Sequence, residues 1–152
     1  MNTSTKDQHG GLSFALRLAT QGDAEALHSL NQMFGNENDL HTLRESIASN
    51  DREIICIAID QGQPVGYCTG LIVKSMCYRN RRVDVEALYV IEACREKGVG
   101  RLLLQSLQKE AAARSMGHLH VVTHAGNKSA RSLYESEGFV SSGEILYEKD
   151  LP

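Results

Sequence analysis

Residues 95–104 read "REKGVGRLLL", in which Gly98 and Gly100 stand between charged residues and an apolar run. The preceding stretch "VDVEALYV" at 83–90 is typical of a strand, and from Val99 onward apolar residues recur at helical spacing. The glycines therefore lie where a strand turns into a helix. The first amides of a helix lack partners within it and carry about half a positive charge. Because glycine lets an anion approach such amides closely, this stretch favours an anion-binding loop.

Three basic residues surround this loop, namely Arg95, Lys97 and Arg101, and they suit a pyrophosphate better than a single carboxylate. Two other phosphate-binding loops are excluded. A Walker A loop needs a lysine and a serine or threonine after its last glycine, and a dinucleotide loop needs a third glycine where Leu103 stands. Taken alone, the pattern also allows a second interpretation, in which the glycines serve only the turn.

The rest of the chain alternates between strand and helix patterns in the order β-α-α-β-β-β-α-β-α-β. The predicted strands cover 13–18, 54–59, 65–73, 83–90, 118–123 and 139–146, and the predicted helices cover 24–34, 40–49, 99–115 and 127–136. Adjacent hairpins favour an α+β fold with a mixed, mainly antiparallel sheet. We predict a polar tail over residues 1–11 and a single domain over 12–152.

Composition excludes several classes of protein. A chain of 152 residues with 41% hydrophobic residues and a formal net charge of −3 carries no global nucleic-acid footprint. No apolar stretch approaches the roughly 20 residues that span a bilayer, and the amino terminus lacks a signal peptide, so we predict a cytoplasmic protein without membrane contact. The four cysteines form no C-x-x-C pair, which argues against a metal site.

Two motifs together resemble one family. The pattern Arg95-x-x-Gly98-x-Gly100 is followed by "NKSARSLYESEGF" at 127–139, which fits N-x-x-A-x-x-L-Y-x-x-x-G-F. This pair of motifs resembles the acyl-CoA signatures of the GCN5-related N-acetyltransferases (GNAT). The resemblance implies a sheet of six to seven strands, splayed between the fourth and fifth strands and flanked by about four helices. It also implies acetyl-CoA as the donor, with coenzyme A as the product.

The resemblance further implies which residues hold the cofactor. The loop amides would bind the pyrophosphate, main-chain groups of the preceding strand would bind the pantetheine arm, and Asn127 would touch that arm, unless it acts only as a helix N-cap. The residues implied are Leu88, Tyr89, Val90, Arg95, Glu96, Lys97, Gly98, Val99, Gly100, Arg101 and Asn127.

For catalysis, Tyr134 matches the family tyrosine that protonates the departing thiolate; the alternative is an aromatic core residue. The Val90 amide would stabilise the developing oxyanion. We predict Glu86 as the base, because a carboxylate in an apolar strand indicates a wet cleft or an ion pair. Regular alternation would place Glu86 on the same face as Val90, with Asp84 beside it. His120 is a further residue that would line the cleft.

The acceptor is the least determined part. Glu37 and Asp39 lie in the turn "GNEND" and would attract a polycation, unless the turn is merely solvated. The surrounding stretch weakly resembles aminoglycoside 3-N-acetyltransferases of this superfamily, with one aspartate a residue early. We therefore predict a small polycationic amine, best an aminoglycoside. The alternatives are a protein, peptide or small metabolic amine, or a non-catalytic acyl-CoA sensor. The resemblance also favours a homodimer.

Overall fold

The computed structural model describes residues 14–49, 51–77 and 81–152. The chain divides into two compact units, one ending at Val122 and the other spanning Thr123–Pro152, and each is described by itself. The first unit contains β1 (Ala15–Leu18), α1 (Ala24–Phe34), α2 (Leu40–Ala48), β2 (Glu53–Asp60), β3 (Gln63–Val73), β4 (Arg82–Val90), α3 (Val99–Ala113) and β5 (His118–Val121). The second contains α4 (Lys128–Ser136). No helix within the described residues is both long and apolar enough to cross a membrane.

The strands form one sheet in the order β1-β2-β3-β4-β5. The first four strands pair antiparallel, whereas β4 and β5 pair parallel across the connection that contains α3. The tight turn between β2 and β3 uses Gln61 at φ 48° and Gly62 at φ 81°, which matches the twist of a two-residue hairpin. The predicted α+β fold with a mixed, mainly antiparallel sheet is confirmed, as is the number of helices.

The predicted sixth strand, over residues 139–146, is wrong. The described part of the chain has five strands, and none lies beyond Val121. The Phe139 amide donates to the Tyr134 carbonyl oxygen at 3.0 Å, so it closes the end of α4 and does not enter a ladder. Gly138 (φ 85°) and Gly143 (φ 76°) are left-handed and break the extended conformation that a strand requires.

One face of the sheet packs against α3. The buried leucines of that helix, Leu103 and Leu107, fit over β3 because Gly66 and Gly70 stand beneath them. A Cβ at Gly66 would lie 2.7 Å from the Tyr89 carbonyl oxygen and 3.2 Å from Leu103, so a larger residue has no room there. These two glycines let the long helix approach the sheet closely. The helix α3 begins at the loop for which the sequence analysis predicts anion binding.

The opposite face packs against α1 and α2. Leu27 and Leu30 of α1 contact Ile57 and Tyr67 of the sheet, and Leu43 and Ile47 of α2 pack at the margin of this cluster. The apolar spacing in both helices is the reason for this arrangement, because it places one stripe of side chains on the sheet. The loop between α1 and α2 therefore lies on this second face.

Candidate functional site

The glycine loop has the geometry of an anion site. Gly98 caps the start of α3 in the left-handed conformation at φ 79°, and Glu96 is left-handed as well at φ 60°. Val99 is 1% exposed and anchors the first turn in the core. The first amides of α3 point out of the helix end, as they do in every α-helix. The Lys97 Nζ donates to the Ala93 carbonyl oxygen at 2.7 Å, so its charge stays beside the loop.

The strand before this loop has an outer edge that β5 covers only in part. The β4–β5 ladder runs from Arg82 to Val85 and stops there, whereas β4 continues to Val90. The Ile91 amide donates to the Val65 carbonyl oxygen at 3.0 Å. Alternation then turns the main-chain groups of Tyr89 toward β3 and those of Leu88 and Val90 away from it.

This uncovered stretch is where the predicted splay between the fourth and fifth strands would begin. The outward amide and carbonyl of Leu88 and the outward amide of Val90 can bind an extended, amide-containing arm, whereas the Val90 carbonyl oxygen accepts from Arg95 Nε at 3.0 Å. The Tyr89 main chain is engaged with β3, so Tyr89 offers its side chain instead. Together with the basic loop that follows the strand, this edge offers the main-chain groups that the resemblance implies for the pantetheine arm and the pyrophosphate of acetyl-CoA.

A β-bulge changes the face on which Glu86 lies. Thr69 pairs with Ala87 while Gly70 pairs with Val85, so Glu86 is an extra residue in β4. Val83 and Val90 both pack on the α3 side of the sheet although they are seven positions apart. The expectation that Glu86 shares the face of Val90 is therefore wrong. Glu86 is exposed and faces α2, where its charge acts on Glu53.

Glu53, at the start of β2, is a carboxyl group that the sequence interpretation missed. Desolvation raises its pKa, the charge of Glu86 raises it further, and hydrogen bonds with Ser46 and Thr69 act in the opposite direction. The available signal was an acidic residue directly before the apolar run "IICIAI". The sheet face under α2 thus carries two carboxylates, on β2 and β4, that can hold or accept a proton.

Asp84 and His120 are brought together by the parallel ladder, in which they are direct partners. The His120 Nδ1 lies 3.9 Å from the Asp84 Oδ1, and the Arg82 Nε lies 2.9 Å from the same oxygen. The rings of His118 and His120 are 4.9 Å apart. Asp84 is therefore paired mainly with Arg82, and His120 lies farther from the same carboxylate oxygen.

The two carboxylates of the acidic turn differ, since Asp39 caps a helix and Glu37 is exposed. Asp39 caps α2, because its Oδ1 accepts from the Thr42 amide at 2.9 Å and its Oδ2 from the Thr42 hydroxyl at 2.8 Å. These bonds, the backbone bond first, hold the pKa of Asp39 below its ordinary value. Glu37 is exposed in the loop between α1 and α2. Asp39 thus fixes the end of the loop, and Glu37 remains available for a ligand.

Two predicted residues belong to the second unit. The Asn127 Oδ1 accepts from the Ala130 amide at 3.1 Å, so Asn127 is an N-cap of α4. Tyr134 is half-buried on this helix, with its ring 5.6 Å from that of Phe139. The cap leaves the Asn127 amide nitrogen for another partner, and a half-buried phenol can still donate a proton.

Comparisons with known proteins find similarity to acetyltransferases. The acetyltransferase (GNAT) family model matches residues 24–139. The chain is 26% identical to rat N-acetyltransferase family 8 member 3 over 72% of this chain and 48% of the relative, so it spans about half the length of that protein. It is 27% identical to the uncharacterized N-acetyltransferase YhfO of Bacillus subtilis over 90% of this chain and 97% of the relative.

Solved structures share the fold at lower identity. One is the aminoglycoside acetyltransferase AAC(6')-Iy with a bisubstrate analog, at 18% identity and a TM-score of 0.80 over 91% of this chain and 99% of the other. Another is a ribosomal-protein-alanine N-acetyltransferase from Brucella melitensis, at 18% identity and a TM-score of 0.76 over 90% and 99%. These neighbours act on different acceptors, so the likeness extends to the fold and not to the acceptor.

Proposed function

Because this chain belongs to the acetyltransferase (GNAT) family, whose donor is acetyl-CoA, we propose that it moves an acetyl group directly onto a primary amine. The observation that carries the proposal is the uncovered edge of β4, which is followed, after the short turn Glu92–Cys94, by the glycine loop at the start of α3. The main-chain groups of the β4 edge would bind the extended arm of the cofactor, and the amides at the start of α3 would bind its diphosphate. Acetyl-CoA supplies an activated acetyl thioester when it is bound.

The chain's own groups then have three tasks. The Val90 amide points away from β3 and donates to the carbonyl oxygen as that oxygen gains charge. Glu86 accepts the proton that the acceptor ammonium must lose before its nitrogen can attack, directly or through a water. Tyr134 is assigned by its motif to donate a proton to the sulfur when the carbon–sulfur bond breaks. The nitrogen loses two protons in all. The first goes to Glu86 and on to water before the attack. The second leaves the tetrahedral intermediate and replaces the proton that Tyr134 gives to the sulfur, so coenzyme A departs as the thiol.

For the acceptor we propose an aminoglycoside, modified as in the 3-N class. Support comes from two exposed carboxylates, Glu86 on the face that bears α2 and Glu37 in the adjoining loop. Such carboxylates attract a polycation and steer it to the site. The fold shared with an aminoglycoside acetyltransferase is compatible with this acceptor.

A panel of amines tests the proposal. Thiol release from acetyl-CoA is followed with aminoglycosides, polyamines and peptides with a free amino terminus, and mass spectrometry and NMR locate the acetyl group on the product. Faster release with aminoglycosides and acetylation at the 3-amino group are expected. Preference for peptides would favour the protein-acetylating alternative. If none of the amines accelerates thiol release, the non-catalytic acyl-CoA sensor is the alternative that remains. Light scattering of the same sample checks the predicted homodimer.

The charge of the acceptor is tested by Glu37→Gln. The KM for a polycationic amine is expected to rise about threefold at low salt and less at high salt, because screening weakens steering. Glu45→Gln is the matched control, since Glu45 is also exposed but lies on α2 beside His41. Equal effects of both variants would contradict a specific role of the loop.

A further inference from the structure

A buried polar network joins the centre of the sheet to the loop between α1 and α2. Tyr67 on β3 is 3% exposed, and its hydroxyl donates to the Asn31 Oδ1 at 2.8 Å. Asn31 is 8% exposed, and it and Asp23 are the two buried polar side chains within the described residues. Burial raises the pKa of Tyr67 to about 12.

The same asparagine holds the loop that follows α1. The Asn36 Nδ2 donates to the Asn31 Oδ1 at 2.8 Å, and the Asn36 amide donates to the Asn31 carbonyl oxygen at 3.1 Å. Gly35, left-handed at φ 95°, makes this return of the chain possible. With the other end of the loop fixed by the Asp39 cap, only Glu37 and Asn38 lie between the two fixed points.

An aromatic contact extends the network to the cofactor side. Phe34, the last residue of α1, is 43% exposed and has its ring 6.5 Å from that of Tyr67 and 5.4 Å from that of Tyr89. The Tyr89 ring lies 5.9 Å below the guanidinium carbon of Arg95. Phe34 is therefore a partly exposed ring that links Tyr67 to Tyr89, near the end of β4.

The hydrogen bond between Tyr67 and Asn31 is not required for packing of the core. Phenylalanine at position 67 would occupy nearly the same volume, and an apolar residue at 31 would remove the need for any hydrogen bond, at little cost in stability. A satisfied buried hydroxyl instead fixes one orientation of its partners. The partners here are the last turn of α1 and the loop that carries Glu37.

We propose that Tyr67 is a positioning residue for the amine acceptor, acting through Asn31 on Phe34 and on the loop that carries Glu37. Phe34 then offers the acceptor an aromatic face, and Glu37 offers a carboxylate at a set distance from it. The class of acceptor this fits is an amine with an apolar or ring-shaped body beside its cationic group. The expected change in the KM for the amine rests on the proposed acetyl transfer. The expected change in the hydrogen exchange of the loop does not.

Tyr67→Phe tests it against Ile54→Val, a buried substitution on the opposite, α3-facing side of the sheet. Tyr67→Phe is expected to raise the KM for the amine about fivefold, with kcat and the KM for acetyl-CoA within twofold of the wild type. Ile54→Val should leave all three unchanged at a comparable melting temperature. Hydrogen exchange of a peptide covering residues 32–39 should accelerate at least threefold in Tyr67→Phe only.

Each result decides a different point. Unchanged amine KM and unchanged exchange in Tyr67→Phe overturn the inference, as does an equal response in Ile54→Val, which would mean a general loss of stability. If the wild type acetylates no amine, the proposed function fails and the acceptor role of Tyr67 fails with it. Faster exchange in that case would show that the hydroxyl holds the loop for another purpose.

Discussion

The Arg95 Nε donates to the Val90 carbonyl oxygen at 3.0 Å. This bond joins the glycine loop to the last residue of β4, across the short 3₁₀ turn Glu92–Cys94. It uses the outward-facing carbonyl that β5 leaves uncovered, and the guanidinium also stands over the Tyr89 ring. The main-chain edge of β4 and the amides of α3 are thereby held in one arrangement, as the proposed anion site requires.

Gly98→Ala tests the anion site. Gly98 has φ 79° with no atom within 4 Å of an added Cβ, so the methyl group would project into the space above the loop. We expect a loss of about 1 kcal/mol in stability from the left-handed backbone and an affinity for coenzyme A at least about tenfold lower. Calorimetric titration measures the affinity, and urea unfolding measures the stability.

Gly62→Ala is the matched control for this substitution. Gly62 has φ 81° and equally open surroundings, but it lies in the hairpin between β2 and β3. It should show the same loss of stability with unchanged coenzyme A binding. Equal affinity in both variants would mean that the loop does not hold the diphosphate.

Glu86→Gln tests the base. We expect kcat/KM to fall about 100-fold at neutral pH and the acidic limb of the pH profile to disappear, because glutamine cannot accept the proton. Glu53→Gln is the comparison, since Glu53 lies on the same face. If Glu53→Gln removes the limb while Glu86→Gln keeps it, the base is Glu53 and the assignment of Glu86 is wrong.

The sequence predicted most of the fold because its elements are locally determined. The helix of α3 follows from its leucine spacing, and the hairpin at Gln61 and Gly62 follows from its turn residues. The bulge at Glu86 was not predictable, because it depends on how β3 pairs with β4 and leaves no local pattern. The same holds for the Tyr67–Asn31 bond, which joins residues 36 positions apart. The strand predicted from Phe139 onward does not form in the described structure, because the Phe139 amide bonds to the end of α4 despite the alternating apolar pattern.

Tyr134→Phe tests the acid. The ring keeps its packing against Phe139, at 5.6 Å between ring centres, and loses only the hydroxyl. We expect kcat to fall at least about tenfold with the dissociation constant for coenzyme A within twofold of the wild type. Stopped assays with the preferred amine measure kcat. Full activity in the variant would restrict Tyr134 to a packing role.

The start of α1 provides a test of stability against pH. Asp23 is 7% exposed, and its oxygens accept from Arg17 Nη1 at 2.7 Å, from Arg17 Nη2 at 2.8 Å and from the Thr20 amide at 2.7 Å. The bond from Arg17 is the largest cause that lowers the pKa of Asp23 to about 2. A carboxyl whose folded pKa is lowered stabilises the fold above its unfolded pKa, and the contribution is lost as pH falls through the folded value.

Asp23→Asn should therefore reduce the free energy of unfolding by about 1–2 kcal/mol at pH 7, a range that allows for the partial exposure of Arg17. The difference from the wild type should narrow below about pH 4, where the unfolded carboxyl takes up its proton. Urea unfolding at pH 7, 5 and 3 measures both. Asp51→Asn is the control for the change of residue type, since Asp51 is exposed. A difference that stays constant from pH 7 to pH 3 would assign the loss to hydrogen bonding or packing and not to the charge of Asp23.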